Sequence, residues 1–245
     1  MIEVSELSKT FVDKKTGPKQ AVDSVSFTAR PGEIFGLLGA NGAGKTTTLR
    51  MLATILTPTS GTATIDGCDI VKDSQKVRER LGYLTGSAGL YERLTARQAL
   101  CYFAELYGIG ETARNRRISE LTEILDLSEF IDRRCDKLST GQKQRVSIAR
   151  SVLHDPPVLF FDEPTSGLDV MAARTVVRFI RSCRDAGKTV LFSTHIMSEV
   201  EALCDRIAVI HDGRKFAEGT LEQLRERTGA QAFETVFLRL IGVNE

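Results

Sequence analysis

The chain has 245 residues, of which 33 are basic and 32 acidic, so its formal net charge is +1. Such a composition produces no strong field of one sign, and a role in coating nucleic acid therefore has no support from charge. The five cysteines form no CxxC pair, which argues against a zinc or disulfide framework and favours a reducing cytosol; they are Cys68, Cys101, Cys135, Cys183 and Cys204.

The sequence shows no pattern for export or membrane insertion. Residues 1–4 do not begin a signal peptide, and no apolar run approaches the roughly 20 residues that a membrane span needs. We therefore expect a soluble protein that would need a partner to act on a membrane. A chain of this length is expected to bury a large core and to divide into a main body and a smaller lobe.

The first part of the chain predicts a layer of β-strands. Residues 2–30 carry short strand-like alternations, broken by a polar loop over residues 13–19 and followed by a turn at residues 31–32. Residues 62–65 predict one more strand. We expect these strands to form an N-terminal antiparallel layer around a mostly parallel core.

A strand followed by a glycine-rich loop is the clearest nucleotide-binding pattern. Ile34–Leu38 predicts a buried strand, and residues 39–46 match GxxxxGK[ST] in full. In this pattern the glycines let backbone amides turn towards phosphate oxygens, Lys45 brings a positive charge, and the Thr46 hydroxyl is a ligand for Mg²⁺. The predicted nucleotide ligands here are Gly39, Asn41, Gly42, Ala43, Gly44, Lys45, Thr46 and Thr47.

The residues after this loop support the same interpretation. Leu49, Leu52 and Ile55 recur at helical spacing, so a helix is predicted directly after the loop. The alternative is an ordinary glycine-rich turn between a strand and a helix. The full motif between a buried strand and a helix favours the phosphate loop.

Residues 88–138 predict helices only. Apolar residues recur there at helical spacing in two groups. They are Ala96, Ala99, Leu100, Phe103, Ala104 and Tyr107, followed by Ile118, Leu121, Ile124 and Leu125. We expect a helical lobe inserted between two parts of the core.

The stretch from Leu138 to Gln142 predicts a helix start with a second possible role. Ser139 and Gln142 have the spacing of a capping box, in which each side chain bonds to the backbone of the other. Gly141 is a costly residue in a first helical turn unless another group must approach the backbone closely. A serine hydroxyl, free amides and a helix N-terminus together form a phosphate site.

Two adjacent carboxylates end another apolar run. Asp162 and Glu163 follow a run that starts at Val158 and predicts a buried parallel strand. Beside a phosphate loop, Asp162 is suited to hold Mg²⁺ and Glu163 to orient or deprotonate an attacking water. Alone, such a pair would more often be a solvated turn or a helix cap, and the phosphate loop upstream favours the functional role.

The rest of the chain returns to alternating strands and helices. Residues 189–193 predict a strand, residues 212–213 predict a hairpin turn between two strands, and Thr220 with Gln223 predict the cap of a final helix. Residues 233–241 are apolar, but they suggest no chemistry.

These motifs in this order resemble the nucleotide-binding subunit of an ATP-binding cassette (ABC) transporter, over nearly the whole chain. The resemblance implies ATP and Mg²⁺ as ligands and a head-to-tail dimer, in which Ser139, Gly141 and Gln142 contact the ATP held by a second copy or a homologous subunit. It also implies that residues 166–169 cross between the copies and that His195 is a switch residue near the terminal phosphate.

The same resemblance places Phe11 against adenine, where an aromatic ring stacks on the purine. The alternative for Phe11 is a core aromatic on a strand, and for His195 an ordinary loop or cap residue.

From the motifs and the resemblance together, the expected catalytic residues are Glu163, His195 and Lys45.

One position departs from the resembled pattern. Most relatives have a glutamine where this chain has Gly86, and that side chain reaches the metal and the attacking water. Gly86 cannot supply an amide. We expect a modest defect, since Thr46, Asp162 and Glu163 keep the core of the site.

Three functions compete at this stage. The first, and favoured, is an exporter ATPase subunit at the inner face of the membrane, paired with a separate permease, with efflux of sodium or drugs as the expected transport. The second is a soluble cassette ATPase acting on nucleic acid or ribosomes, and the third is another phosphate-loop NTPase.

We expect the chain to form a single domain with three parts. Residues 1–87 and 139–228 are the catalytic core, 88–138 the lobe and 229–245 a short extension.

Overall fold

The computed structural model describes residues 1–13, 17–85 and 89–243. Within them, two sheets and the helices between their strands make up the regular structure. The first sheet is entirely antiparallel, with the order β2-β1-β4-β5. Its strands are β1 (Ile2–Asp13), β2 (Gly17–Ala29), β4 (Ser60–Ile65) and β5 (Cys68–Asp69).

This layer confirms the predicted N-terminal strands and corrects one boundary. The polar loop predicted over residues 13–19 is too long, because β2 already begins at Gly17 and Pro18 pairs with Val12. Proline lacks a backbone donor, but β2 is an edge strand of this sheet and therefore tolerates it.

The second sheet forms the centre of the molecule, with the order β10-β9-β3-β8-β7-β6. Neighbouring strands from β9 to β6 are parallel, and β10 is antiparallel to β9. The strands are β3 (Ile34–Leu38), β6 (Leu81–Leu84), β7 (Val158–Asp162), β8 (Thr189–Thr194), β9 (Arg206–His211) and β10 (Arg214–Gly219).

The central sheet separates two apolar cores. Ile34 and Leu38 on β3 belong to one core, and Phe35 and Leu37 belong to the other. Side chains alternate between the faces of a strand, so a strand that is buried on both faces must be apolar throughout. This explains why β3 is a continuous apolar run in which every residue is buried.

The helices lie on both faces of the central sheet and in the segment between β6 and β7. They are α1 (Lys45–Leu52), α2 (Ser74–Arg80), α3 (Ala96–Leu106), α4 (Glu111–Ile124), α5 (Thr140–Ser151), α6 (Val170–Asp185), α7 (Met197–Leu203), α8 (Leu221–Thr228) and α9 (Phe233–Leu240). Among the described residues, no helix has both the length and the apolar character to cross a bilayer.

The helix after the glycine-rich loop is confirmed but shorter than predicted. It ends at Leu52, and Ile55 lies beyond it with 59% of its surface exposed. The physical reason is the left-handed backbone of Thr54 (φ 62°), which breaks the helical path one residue before Ile55.

The helical segment between the core strands is also confirmed. Helices α3 and α4 contact each other and α5, and a short 3₁₀ turn covers Cys135–Lys137. Leu100, Ile118 and Leu121 form part of their buried core, whereas Ile124 at the end of α4 is 41% exposed.

The C-terminal helices depart from the sequence prediction. Thr220 and Gln223 do form a capping box at the start of α8, but α8 is not the last helix, because α9 follows it. Phe233, Val236 and Phe237 are spaced so that they share one face of α9, and all three are buried. Helix α9 packs against α7 and α8.

The strand order brings three loops to one edge of the central sheet. Strand β8 pairs in parallel with β3 on one side and β7 on the other, with Leu38 opposite Thr194 and Asp162 opposite Ser193. The carboxyl ends of neighbouring parallel strands form a crevice in which ligands commonly bind. The glycine-rich loop, the paired carboxylates and His195 all follow these strand ends.

Candidate functional site

The glycine-rich loop turns directly from β3 into α1. Gly44 is the N-terminal cap of α1 with φ 106°, a backbone conformation that side chains disfavour. A Cβ on Gly39 would lie 2.2 Å from the carbonyl oxygen of Ile210. These glycines therefore allow the loop to turn and to pack closely against β9, and they leave the amides at the N-terminus of α1 available to an anion.

Lys45 is a buried cation at the floor of this loop. Its Nζ donates to the carbonyl oxygens of Gly39 at 2.6 Å and Ala40 at 3.1 Å, and lies 3.9 Å from Oε1 of Glu163. Burial lowers the pKa of Lys45, while the charges of Glu163 and Asp162 oppose this shift. An anionic phosphate would favour the protonated form in the same way as these carboxylates.

Asp162 collects hydroxyl groups from two other elements. Thr46 Oγ1 on α1 donates to Asp162 Oδ1 at 3.2 Å, and the buried Ser193 on β8 donates to the same oxygen. The structure therefore brings together the two predicted metal ligands. No local sequence pattern reveals the role of Ser193, because its contact with Asp162 depends on the pairing of β7 with β8.

This donor set fits Mg²⁺. Carboxylate and hydroxyl oxygens are hard ligands, and Mg²⁺ in phosphate sites is commonly bound by one or two protein oxygens together with substrate phosphates. In the described part of the chain, no group of three or more His, Cys, Asp and Glu side chains is arranged to hold a metal by itself. A cation at Thr46 and Asp162 would thus need phosphate oxygens of a bound ligand to complete its coordination.

Glu163 and His195 form a second pair directly beside this group. His195 Nδ1 lies 3.0 Å from Glu163 Oε1, and the amide of Glu163 donates to the carbonyl oxygen of Ser193 at 3.0 Å. Glu163 has a left-handed backbone (φ 50°), which is uncommon for a residue with a side chain. Its carboxylate remains 29% exposed, so water has access to it.

A pocket of about 580 Å³, a size that suits a small-molecule ligand, opens beside Glu163, whereas Asp162 and His195 do not line it. Phe11 lines it and is 41% exposed, so the alternative interpretation of Phe11 as a core aromatic is wrong. The predicted residues in its lining are Phe11, Asn41, Gly42, Gly44, Lys45, Thr46, Thr47 and Glu163. Gly39 and Ala43 belong to the loop but do not line the pocket.

Part of this lining is not predicted by the sequence motifs. The missed residues are Lys19, Gln20, Ala21, Asp212 and Gly213. The hairpin turn at Asp212 was predicted, but not its contact with the glycine-rich loop, where Gly213 N donates to Ala43 O at 3.0 Å. The turn also accepts a hydrogen bond from the amide of Asp23 on β2. It thereby connects both sheets to the loop.

Ser139, Gly141 and Gln142 lie outside this pocket. The predicted capping box is present, with Ser139 Oγ accepting from Gln142 N at 3.3 Å and Gln142 Oε1 accepting from Ser139 N at 3.0 Å. A Cβ on Gly141 would lie 3.0 Å from the Cβ of Ala172, so packing against α6 by itself accounts for this glycine. Ser139 is exposed at the N-terminus of α5.

The segment after the paired carboxylates ends in another cap. Asp169 accepts hydrogen bonds from the amides of Met171 and Ala172 at the start of α6, while Ser166 and Gly167 are exposed. Gly86, the predicted departure from the resembled pattern, lies outside the described residues.

Comparisons with known proteins agree with this site. The ABC transporter family matches residues 22–166. The ABC transporter ATP-binding protein NatA of Bacillus subtilis is 43% identical over 97% of both chains. The probable multidrug ABC transporter ATP-binding protein YbhF of Escherichia coli is 40% identical over 98% of this chain, which spans only 42% of that relative.

Solved structures give the same result. The ATP-binding subunit of an ABC transporter superposes with a TM-score of 0.88 at 30% identity, covering 98% of this chain and 99% of the other. A dimeric ATP-binding cassette in a post-hydrolysis state with ADP and Pi superposes with a TM-score of 0.81 at 26% identity, covering 90% and 99%. The chain therefore belongs to the ABC transporter family, as one of its ATP-binding ATPase subunits.

Proposed function

We propose that this subunit binds Mg²⁺ and ATP in the pocket beneath Phe11, hydrolyses the ATP at Glu163 and powers export through a separate membrane permease. The single observation that carries the proposal is the position of the Glu163 carboxylate. Its Oε1 lies between Lys45 Nζ at 3.9 Å and His195 Nδ1 at 3.0 Å, beside the loop that would hold the phosphates.

The pocket supplies separate interactions for the adenine and for the phosphates of ATP. The exposed Phe11 ring offers a face for stacking on adenine. The amides at the N-terminus of α1 and the ammonium of Lys45 bind the phosphate oxygens. When bound, Mg²⁺ supplies charge neutralisation at the phosphates, and Thr46 and Asp162 would hold it.

Hydrolysis depends on a carboxylate that orients or deprotonates a water beside the terminal phosphate. Glu163 has this role in the proposal, since it is partly exposed to the pocket. His195 fixes the orientation of the Glu163 carboxylate through Nδ1. Lys45 stabilises the negative charge that remains on the phosphate side.

Subunits of this family work with a separate membrane permease and form dimers. We propose a head-to-tail arrangement in which Ser139, Gly141 and Gln142 contact the ATP of the second copy. Two observations support it: these residues do not line the pocket of their own chain, and Ser139 is exposed at a helix N-terminus. The exposed loop at Ser166 and Gly167 would cross between the copies.

In this proposal the subunit lies at the cytoplasmic face of the membrane, because its permease spans the bilayer. Residues 1–87 and 139–228 form the catalytic core, 88–138 the helical lobe and 229–245 the C-terminal extension. Drug efflux agrees with the name of the YbhF relative, and sodium efflux is the second expected transport. Action on nucleic acid or ribosomes is not favoured.

Hydrolysis and membrane partnership are tested separately. The purified chain should release phosphate from Mg-ATP, and Lys45→Ala should abolish both ATP binding and release, whereas the surface variant Lys72→Ala should match the wild type. The chain should also sediment with vesicles that contain its membrane permease and not with empty vesicles. Undiminished hydrolysis in Lys45→Ala would refute the site, and sedimentation with ribosomes alone would favour the soluble alternative.

A further inference from the structure

Glu199 connects the two loops that carry Glu163 and His195. It lies on α7, and its carboxylate accepts a hydrogen bond from Thr194 Oγ1 at 2.6 Å and a second one from Thr165 Oγ1. Thr194 directly precedes His195, and Thr165 lies two residues after Glu163. One side chain outside the nucleotide pocket thereby holds both loops.

A third contact fixes the direction in which the Thr194 hydroxyl donates its proton. This hydroxyl accepts a hydrogen bond from the amide of Ile196 at 3.0 Å, so its own proton is directed to Glu199. Thr194 is 1% exposed and Thr165 6% exposed. Hydrogen bonds from hydroxyls to a carboxylate are short and strong, and burial shields these two from competition by water.

The position of Glu199 in α7 explains why both of its carboxylate oxygens bind the threonines. A glutamate at the third position of a helix commonly bonds back to the amide of the capping residue. In α7 that residue is Ile196, whose amide is already bound by Thr194. Glu199 instead uses both carboxylate oxygens on the two threonines.

We propose that Glu199 is a positioning residue, which fixes the Glu163–His195 contact and so sets the rate of hydrolysis without touching ATP. The proposal rests on the functions assigned above to Glu163 and His195. Because a displacement of about 1 Å in a reacting group costs about 100-fold in rate, loss of the Glu199 contacts should lower kcat. The affinity for ATP should stay the same, since Glu199 does not line the pocket.

The test uses the full chain and four kinds of variant. Glu199→Gln has the same shape but only one oxygen acceptor, so one of the two threonine hydroxyls loses the acceptor of its proton. Thr165→Val removes only the contact with Glu199, whereas Thr194→Val removes the contact with Glu199 and the one with the Ile196 amide. The matching serine variants keep the hydroxyl and should restore these contacts. Glu201→Gln is the control, because Glu201 lies on the same helix but pairs with Arg225 on α8.

We expect Glu199→Gln to lower kcat by about 10- to 100-fold, with the Kd for ATP unchanged within about twofold. The valine variants should show a similar loss and the serine variants should recover, while Glu201→Gln should match the wild type. If Glu199→Gln does not fold, the valine and serine pairs decide the question alone. Unchanged kcat in the folded variants, or an equal loss in Glu201→Gln, would overturn the proposal.

A double variant separates positioning from general stability. If Glu199 lowers kcat only by fixing the Glu163–His195 contact, adding Glu199→Gln to His195→Ala should lower kcat no further, because that contact is already lost, whereas independent effects would multiply. Multiplied effects would therefore contradict the proposal. If Glu163→Gln and His195→Ala themselves leave kcat unchanged, the proposed function fails; if they lower it and Glu199→Gln does not, only the inference about Glu199 fails.

Discussion

His195 Nδ1 lies 3.0 Å from Glu163 Oε1, although the two residues are 32 positions apart in sequence. The contact forms because β7 and β8 are parallel neighbours and each residue follows the end of its strand. In the proposed mechanism, this contact holds the Glu163 carboxylate towards the phosphate loop.

Replacing His195 tests the function assigned to this contact. His195→Ala should leave ATP binding intact and lower kcat by about 10- to 100-fold, since the Glu163 carboxylate loses its fixed orientation. Steady-state kinetics and equilibrium titration measure the two effects separately. His211, which is half-buried on β9 and does not line the pocket, provides the matched control as His211→Ala. A weaker Kd with normal kcat would show instead that His195 binds the nucleotide.

Phe11 should contribute to affinity and not to turnover. Phe11→Ala removes the stacking surface and should weaken ATP binding by roughly 1–3 kcal/mol, or about 5- to 150-fold in Kd. Phe11→Tyr should bind normally, because it keeps the ring. Val12→Ala serves as the control, since the side chain of Val12 is next to Phe11 in sequence, is 80% exposed and lies outside the pocket lining. Equal affinity for wild type and Phe11→Ala would remove Phe11 from the site.

Ser139 should act on the ATP of the second copy. Ser139→Arg should therefore leave nucleotide binding by the monomer unchanged but abolish hydrolysis, because the bulky cation blocks the composite site. Mixed with Lys45→Ala, it should restore part of the activity, since each heterodimer then contains one intact site. Lost binding in the Ser139→Arg monomer would show that the serine acts only as the cap of α5.

The buried Lys45 should make stability depend on pH. Burial lowers its pKa from the ordinary value of 10.5, so between the lowered pKa and 10.5 the unfolded chain holds a proton that the folded chain has released. Rising pH then favours the folded state. Across this pH range, the free energy of unfolding of the wild type should rise relative to that of Lys45→Met by about 1.4 kcal/mol for each unit by which the pKa of Lys45 is lowered.

Denaturant titrations at several pH values check this difference between wild type and Lys45→Met. Saturating Mg-ATP should diminish the rise, because its phosphates stabilise the protonated lysine. A constant difference, or one that falls with pH in the ligand-free proteins, would contradict a lowered pKa for Lys45.

Local patterns in the sequence predicted the phosphate loop, the paired carboxylates and the capping box, because each depends on residues that are close in the chain. The antiparallel layer and the mostly parallel sheet also followed from period and motif order. The contacts of Ser193 with Asp162 and of Gly213 with Ala43 were not predicted, since they depend on which strands become neighbours.

Local backbone geometry explains why the helix after the phosphate loop and the polar loop before β2 are both shorter than predicted. The left-handed Thr54 stops α1 before Ile55, and the edge position of β2 allows Pro18 into a strand. Helix α9 was missed although Phe233, Val236 and Phe237 have helical spacing. Gly141 has a close neighbour within its own chain, Ala172, so a glycine at this position does not by itself indicate an outside ligand.

The most direct test of the account is the ATP turnover of Glu163→Gln. The amide keeps the shape of the side chain but cannot accept a proton from water, so Mg-ATP should bind with normal affinity while kcat falls by about 10²- to 10⁴-fold. Single-turnover hydrolysis and ATP-dependent dimer formation are measured on the same preparation, and ATP should trap the variant as a stable dimer. Hydrolysis at the wild-type rate would contradict the assignment of Glu163 as the catalytic carboxylate.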